Sequence, residues 1–151
     1  MIRKALIRDA KEILGIINFF ANRGEMLHRS TNEIYENIRD FIVYETDEEV
    51  VGVSSLHIDW EDLAEIRSLA VKEKSSNKGI GSAMVRECIR EAKELGIKKV
   101  FTLTYVPPFF KKLGFKVVDK SQFPHKIWSD CVKCPKFPGC DETALIYEIE
   151  T

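Results

Sequence analysis

The chain has 151 residues, of which 44% are hydrophobic and 31% are charged, and this composition predicts one globular domain over residues 1–151 with a core of its own. The formal net charge of −1 argues against bulk nucleic-acid binding and against an anionic membrane surface as a partner. No apolar run approaches the ~20 residues that span a bilayer, and no basic start leads into an apolar segment, so we expect a cytoplasmic protein that binds no membrane.

The N-terminal residues predict one strand and two helices. A strand pattern covers residues 2–9, and Asp9 is placed to cap a helix whose apolar residues recur at helical spacing. A polar loop follows. Ser30 or Thr31, together with Glu33, has the spacing of a capping box at the start of a second helix.

Three strands are predicted next. Strand patterns at residues 41–46 and 50–58 flank a short acidic turn, which indicates a hairpin. A second turn leads to the alternating pattern of residues 63–71, which predicts a third strand. This strand carries Glu65 and leads into a short polar run.

The most informative stretch is Ser76-Asn77-Lys78-Gly79-Ile80-Gly81-Ser82-Ala83, a glycine-bearing turn that joins this strand to a long amphipathic helix. The apolar residues of that helix are Ile80, Met84, Val85, Cys88, Ile89, Ala92 and Leu95, and Gly96 ends the pattern. Closely spaced glycines at a helix N-terminus expose backbone N–H groups at the positive end of the helix dipole. We therefore expect a pyrophosphate cradle, whereas two glycines alone are equally typical of a simple helix cap.

The rest of the chain completes the order of elements. Residues 98–104 form a short β-rich run, and residues 105–115 supply one more helix. Val117 with Val118, and residues 143–149, predict two final strands separated by a long loop. The predicted order, β-α-α-β-β-β-α-β-α-β-β, is an α/β fold with a mixed central sheet flanked by helices.

Two motifs resemble those of the GNAT family of acyl-CoA N-acyltransferases. The family's motif A consists of Arg or Gln, two residues, Gly, any residue, then Gly or Ala. Gly79 and Gly81 match it, and Ser76 stands at the Arg or Gln position. The family's late signature, an aromatic pair, two further residues and Leu-Gly-Phe, matches residues 109–115. The predicted order of elements is also that of the family, so the resemblance covers nearly the whole chain.

The resemblance implies that acetyl-CoA is the cosubstrate. The residues whose backbone would bind the pantetheine arm and the acetyl carbonyl are Leu69, Ala70 and Val71. Those expected to hold the pyrophosphate are Asn77, Lys78, Gly79, Ile80, Gly81 and Ser82. Because backbone N–H groups hold phosphates whatever the side chains are, the serine at position 76 leaves this expectation intact.

Acetyl transfer to an amine needs a general base and, for the leaving thiolate, a proton donor. Glu65 matches the glutamate that several family members use as the base, directly or through water, and a solvent-facing strand residue is the alternative. The tyrosine that the family uses as general acid corresponds to Phe110, which has no proton to give. Tyr105 is the candidate acid, with half-buried packing as its alternative, and solvent is a further proton donor.

Three arginines are candidates for binding the acceptor. Arg67 lies two residues after Glu65, so both project from one face of a strand, where a guanidinium could bind an acceptor carboxylate through two hydrogen bonds. An ion pair with Glu65 or a surface position is the alternative. Arg23 and Arg29 lie in the loop between the first two helices, which the resemblance places beside the acceptor site. A solvated loop position is the alternative for each.

The late segment, residues 125–142, resembles the tail of the short, stand-alone N-acetylglutamate synthases. This resemblance implies a small-molecule amino-acid substrate, L-glutamate, and the first step of arginine biosynthesis. Acetylation of a protein N-terminus or lysine stays open as an alternative, as does a non-catalytic CoA-binding regulator. The sequence also leaves the oligomeric state open, with a homodimer as one alternative.

Three late cysteines, Cys131, Cys134 and Cys140, permit a zinc site with His125, because three thiolates and an imidazole complete a tetrahedron. One short-spaced cysteine pair is only moderately specific for zinc, and packing of buried thiols or a redox-labile pair are the alternatives. We expect no tightly held metal and therefore assign no metal ligand.

Overall fold

A computed structural model describes residues 1–123 and 141–150. Its strands are β1 (Ile2–Lys4), β2 (Phe41–Thr46), β3 (Glu49–Trp60), β4 (Leu63–Val71), β5 (Lys99–Thr104), β6 (Lys116–Val118) and β7 (Thr143–Glu148). Its helices are α1 (Ala10–Ala21), α2 (Thr31–Glu36), α3 (Ile80–Glu94) and α4 (Pro107–Lys112). Their order along the chain confirms the predicted α/β fold and the predicted succession of strands and helices.

The strands of the described residues hydrogen-bond in the order β1-β2-β3-β4-β5-β7-β6. β4 and β5 are parallel, whereas β1 and β2, β2 and β3, β5 and β7, and β6 and β7 pair antiparallel. The sheet is therefore mixed, as predicted. The last strand of the chain lies between β5 and β6, and the sequence order gave no indication of that position.

The described residues divide into two compact units. Unit 1 comprises residues 1–57 and 66–91, and unit 2 comprises residues 58–65 together with the described residues from 92 onward. β3, β4 and α3 contribute residues to both units, so neither unit is a continuous stretch of sequence. Within the part of the chain that the structure describes, no helix combines the length and apolar character needed to cross a membrane.

The core of unit 1 forms where the apolar face of α1 meets strands and α2. α1 buries residues at helical spacing, and β2 buries three consecutive residues, of which Phe41 and Val43 belong to the same cluster as the α1 residues. Its buried members are Ala10, Ile13, Ile16, Ile17, Ile34, Phe41, Val43, Val50, Val53 and Ala70. The predicted capping box of α2 is present: the hydroxyl of Ser30 accepts the N–H of Glu33, and the carboxylate of Glu33 accepts the N–H of Ser30, both at 3.1 Å.

The junction between β1 and α1 differs from the prediction. β1 ends at Lys4 rather than at residue 9, and a 3-10 turn over Ile7–Asp9 precedes α1. Asp9 stands directly before α1 but makes no side-chain bond to cap it. Its carboxylate instead accepts two hydrogen bonds from Arg3, at 2.8 and 3.0 Å, and one from the N–H of Leu6 at 2.7 Å. Arg3 thereby holds the pKa of Asp9 below its ordinary value and ties β1 to the start of α1.

Aromatic rings fill the core of unit 2. Phe101 of β5 stacks on Phe123 with ring centroids 4.0 Å apart. In the late signature, Phe110 and Phe115 meet edge to face at 5.2 Å, and Phe115 contacts Tyr147 of β7 at 5.4 Å. The late signature therefore packs α4 against β7.

α3 is seated against β3 at Gly52, within unit 1. A Cβ on Gly52 would lie 3.1 Å from Sδ of Met84 and 3.2 Å from Cγ2 of Ile80, so a larger residue would require these side chains in the first turns of α3 to shift. The helix closes at Gly96, whose φ is 85°. Leu95 lies beyond the helix and is exposed, so its assignment to the apolar face was wrong.

We expect Gly52→Val to destabilise the protein by about 1–3 kcal/mol, the usual cost of overpacking a core. The new side chain would collide with Met84 and Ile80, and its Cβ would also lie 3.4 Å from Cβ of Tyr44. Urea unfolding of the purified variant measures the free energy of unfolding. A variant as stable as the wild type would show that α3 is not seated closely at this position.

Gly15→Ala is the matched control. Gly15 lies inside α1, where a Cβ would meet no atom within 4 Å. Because glycine in a helix interior costs about 0.5–1 kcal/mol relative to alanine, this variant should gain stability by a similar amount. Opposite signs for the two substitutions would separate the steric effect at Gly52 from the general effect of replacing a glycine.

Candidate active site

The C-terminal half of β4 contains an irregular residue, Ser68, whose φ of 59° lies in the left-handed region. Residues other than glycine rarely adopt this conformation, and strained backbone is concentrated at functional sites. Leu69, Ala70 and Val71 follow it to the end of β4. The backbone predicted to bind the pantetheine arm therefore begins directly after an irregular strand position.

Side-chain contacts fix the segment between β4 and α3. Lys74 and Lys72 both bind the carboxylate of Glu49, at 2.6 and 2.9 Å, and hold its pKa below the usual range. Ser76, at the Arg or Gln position of motif A, donates its hydroxyl to the carbonyl oxygen of Glu73 at 2.8 Å. The side chain of Ser76 thus stabilises the turn that leads into the cradle.

The predicted cradle lies at the start of α3. Asn77 and Gly79 are both left-handed, with φ of 61° and 78°, and the N–H of Ala83 makes an early helical bond to the carbonyl of Gly79 at 3.1 Å. The N–H groups of the first turn have no acceptor inside the helix and mark its positive end. A Cβ on Gly79 would meet no atom within 4 Å, so the space in front of the helix is open. This geometry fits a phosphate group held by backbone donors.

A pocket in unit 1 brings two of the predicted arginines together. Its lining residues are Arg29, Glu33, Ile34, Asn37, Phe41, Ser55, Arg67 and Ser68. Arg29 is held by Glu33, with Nη1 3.2 Å from Oε2, and its side chain is only 9% exposed. Two guanidinium groups in a small polar pocket suit a ligand that carries carboxylates.

Arg23 lies outside the set of residues that line this pocket. Its guanidinium binds Glu73 at 3.0 Å and Glu25 at 3.7 Å, and it lies over the rings of Phe19 and Phe20. The side chain is 45% exposed. The structure therefore groups Arg29 with Arg67 and gives Arg23 partners of its own.

Glu65 belongs to unit 2 and is buried, with 3% of its surface exposed. It lies opposite Phe101 in the parallel ladder of β4 and β5, and Arg67 follows two residues later in β4. Carboxylates are seldom fully buried unless they are paired or functional. Its burial excludes the alternative that Glu65 is a solvent-facing strand residue.

Tyr105 directly follows β5 and is half-buried. The chain turns there through a hydrogen bond from the N–H of Val106 to Oγ1 of Thr104 at 3.0 Å. Phe110, at the family's general-acid position, is buried among aromatic rings and plays a packing role. Tyr105 remains the candidate acid among the residues singled out from the sequence.

The sequence did not identify the uncharged polar residues of the pocket, Asn37, Ser55 and Ser68. The sequence contains a signal for Ser55, because Ser54 and Ser55 interrupt the otherwise apolar run of residues 50–56. Both serines are buried. The cysteines Cys131, Cys134 and Cys140, with His125, lie outside the described residues. Within residues 1–123 and 141–150, no group of three or more His, Cys, Asp or Glu side chains could hold a metal ion.

Residues 7–115 match the Acetyltransferase (GNAT) family. The chain belongs to this family. The matched region runs from the turn before α1 to the late signature and includes the cradle of α3 and both arginines of the pocket. The family resemblance predicted from two short motifs is therefore confirmed.

Relatives of similar length and longer ones share this GNAT region. A Chlorobaculum tepidum protein named an uncharacterized N-acetyltransferase is 43% identical over 145 residues, 96% of this chain and 94% of the relative. The amino-acid acetyltransferase of Mycobacterium tuberculosis is 29% identical and is covered over 76% of its length. That of Neisseria meningitidis serogroup A is 30% identical over 82% of this chain, which spans only 29% of that longer enzyme. This GNAT chain is an N-acetyltransferase.

Solved structures confirm the fold. A Mycobacterium tuberculosis protein in complex with CoA matches 99% of both chains with a TM-score of 0.86 and 25% identity. The N-acetylglutamate synthase of Neisseria gonorrhoeae, in complex with coenzyme A and N-acetyl-glutamate, matches all of this chain with a TM-score of 0.90 and 25% identity. This chain covers 35% of that structure.

We expect Gly79→Val to raise the KM for acetyl-CoA by about tenfold or more. A branched side chain is strained at a φ of 78° and would fill the open space before the α3 N–H groups, where a phosphate has to approach. Steady-state kinetics with acetyl-CoA as the varied substrate measures the change. An unchanged KM would mean that the turn at Gly79 does not bind acetyl-CoA.

Gly96→Val is the control for this experiment. Gly96 has a similar φ of 85°, also has no atom within 4 Å of a Cβ, and lies beyond the opposite end of α3. Both variants should lose stability through backbone strain, but only the Gly79 variant should lose affinity for acetyl-CoA. Equal effects on KM would indicate a general loss of structure.

Proposed function

We propose that this GNAT enzyme transfers the acetyl group of acetyl-CoA to the α-amino group of a small acidic amino acid, with L-glutamate as the best acceptor. The product would be N-acetyl-L-glutamate, and the enzyme would act in arginine biosynthesis in the cytoplasm. We also propose that residues 1–151 act as one catalytic domain. The observation that carries the proposal is the presence of Arg29 and Arg67 at one pocket.

The charges of this pocket support an acidic acceptor. Arg29 and Arg67 provide two positive groups, and Glu33, which also lines the pocket, is paired with Arg29. Glutamate has two carboxylates, one for each guanidinium group. A guanidinium binds a carboxylate through two parallel hydrogen bonds, which gives direction as well as affinity. A neutral side chain in the acceptor would lack the charge-assisted hydrogen bonds that a carboxylate makes to a guanidinium.

The named relatives support the same acceptor class. The Mycobacterium tuberculosis relative is an amino-acid acetyltransferase, and the Neisseria gonorrhoeae structure contains N-acetyl-glutamate. The more similar Chlorobaculum tepidum relative is named only as an N-acetyltransferase. The proposal of glutamate therefore rests on the pocket and on relatives of about a quarter to a third identity.

Acetyl-CoA would supply the thioester. The N–H groups of the turn from Asn77 to Ser82 would hold its pyrophosphate, since that turn presents backbone donors and open space. The backbone of residues 69–71 would bind the pantetheine arm and polarise the acetyl carbonyl. Neither role depends on a particular side chain, so the serine at position 76 is compatible with both.

Glu65 would act as the general base. An amino acid in water carries an ammonium group, which cannot attack a carbonyl until it loses a proton. Glu65 takes that proton, directly or through a water molecule, and the neutral amine attacks the acetyl carbon. The bond between carbon and sulfur then breaks, and the thiolate receives a proton from Tyr105 or from solvent.

We expect Glu65→Gln to lower kcat by roughly a hundredfold at neutral pH, the usual contribution of a positioned general base. The amide cannot accept the proton, so the acid limb of the pH–rate profile should also flatten. Glu61→Gln is the control, because Glu61 lies exposed in the turn between β3 and β4. A pH–rate profile identical to that of the wild type would make Glu65 a structural residue.

A thiol-release assay with acetyl-CoA tests the acceptor. We expect glutamate to exceed glutamine and leucine in kcat/KM by roughly two orders of magnitude, because neither of them has the second carboxylate that a guanidinium would bind. Arg29→Ala and Arg67→Ala should each reduce the preference for glutamate over glutamine by about tenfold or more. Basic peptides should be poor acceptors.

Arg23→Ala is the comparison variant for these two arginines. Arg23 is exposed and paired with Glu73, so its removal should leave the preference for glutamate unchanged if the acceptor binds at the pocket of Arg29 and Arg67. If Arg23→Ala alone changed this preference, the acceptor would not bind at the pocket of Arg29 and Arg67. Efficient turnover of a peptide amine, without turnover of glutamate, would show that the acceptor is a protein amine.

A further inference from the structure

Asn18 lies in the interior of α1, where asparagine is a weak helix former. Its side-chain amide reaches out of the helix to a single residue of the following loop. Nδ2 donates to the backbone carbonyl of Arg29 at 3.2 Å, and Oδ1 accepts the backbone N–H of Arg29 at 3.2 Å. One side chain therefore satisfies both backbone polar groups of Arg29.

This pairing fixes the backbone of Arg29 in position and in direction. Two opposed hydrogen bonds between an amide side chain and one residue define a plane and a distance, and turning the amide over would bring like groups together. α1 is held in turn by the core of unit 1, which buries Ile16 and Ile17 next to Asn18 in sequence. The backbone of Arg29 is thus attached to a helix that the core of unit 1 holds in place.

The side chain of Arg29 continues from that fixed backbone into the pocket it shares with Arg67. Asn18 itself is not among the residues that line the pocket. A guanidinium recognises a carboxylate only when its planar N–H groups point in the right direction, so a displacement of about 1 Å at its base would weaken binding. The loop of Arg29 has no regular secondary structure that would set this direction by itself.

We propose that Asn18 is a positioning residue for acceptor recognition, which acts by holding the backbone of Arg29 so that its guanidinium points into the pocket. This inference rests on the proposed function, in which Arg29 binds an acceptor carboxylate. It adds a residue of α1 to the determinants of acceptor specificity, although this residue touches neither acceptor nor acetyl-CoA in the proposed arrangement.

The test is Asn18→Ala. Alanine is a better helix former than asparagine, so α1 should fold, and thermal unfolding monitors this. We expect the KM for glutamate to rise about tenfold through the loss of two hydrogen bonds, with kcat and the KM for acetyl-CoA within about twofold of wild type. Asn18→Asp, which keeps an oxygen for the N–H of Arg29 but loses the donor to its carbonyl, should shift the KM in the same direction.

Asn22→Ala is the matched control. Asn22 directly follows α1, and its Oδ1 lies 2.6 Å from Nε2 of His28, so it tethers the same loop through side chains alone. Its removal should leave the KM for glutamate within about twofold of wild type. An equal rise of KM in Asn22→Ala and Asn18→Ala would mean that general loosening of the loop is responsible, and would overturn the proposal.

A double-mutant cycle with Arg29→Ala decides whether Asn18 acts through Arg29. In the Arg29→Ala background, Asn18→Ala should cause no further loss of preference for glutamate over glutamine. Equal losses with and without Arg29 would overturn the inference. If Arg29→Ala leaves the preference unchanged, the proposed function fails at this residue and the inference fails with it. If Arg29→Ala abolishes the preference and Asn18→Ala does not reduce it, the inference alone is overturned.

Discussion

The close approach of α3 to β3 at Gly52 is the constraint on which the cradle depends. A single hydrogen at this position lets Ile80 and Met84, from the first two turns of α3, lie directly on the strand. The electrostatic effect of a helix N-terminus falls off within its first turn, so its donors serve a phosphate only if that turn is held in place. Because protein interiors are close-packed, a larger residue at Gly52 would press on the side chains of Ile80 and Met84 in these turns. The proposed binding of a phosphate at the cradle therefore depends on this packing.

Charged side chains around the cradle have a different role. Lys72 and Lys74 share Glu49, and Arg23 pairs with Glu73, all at exposed positions where ion pairs contribute little to stability. These pairs orient the segment that enters α3. They also pair Lys72, Lys74 and Arg23 with carboxylates, whereas Lys78 lies within the turn of the cradle itself. In the proposed site the backbone N–H groups would hold the phosphate, and the presence of Ser76 in place of Arg or Gln does not remove them.

The sequence predicted those features whose causes are local. The capping box of α2, the turn before α3 and the order of elements all follow from spacing within a few residues, and each is present. The position of β7 between β5 and β6 depends on pairing between distant strands, which periodicity does not encode. Asp9 has the sequence of a helix cap, but Arg3 and Leu6 compete for its carboxylate. Arg29 and Arg67 were predicted one by one, whereas their meeting at one pocket is a property of the folded chain.

The two departures from the family motifs have different chemical consequences. Ser76 replaces an Arg or Gln at a turn where backbone N–H groups can hold a phosphate by themselves. Phe110 replaces a proton donor, and its burial among aromatic rings shows that this position now serves packing alone. A thiol has an ordinary pKa of about 8.5, so a thiolate leaves readily at neutral pH and has modest need of an acid. An ammonium group, by contrast, cannot react until a base removes its proton. An enzyme of this type therefore tolerates the loss of the acid more easily than the loss of the base, which agrees with a chain that keeps a buried glutamate at position 65 and a phenylalanine at position 110.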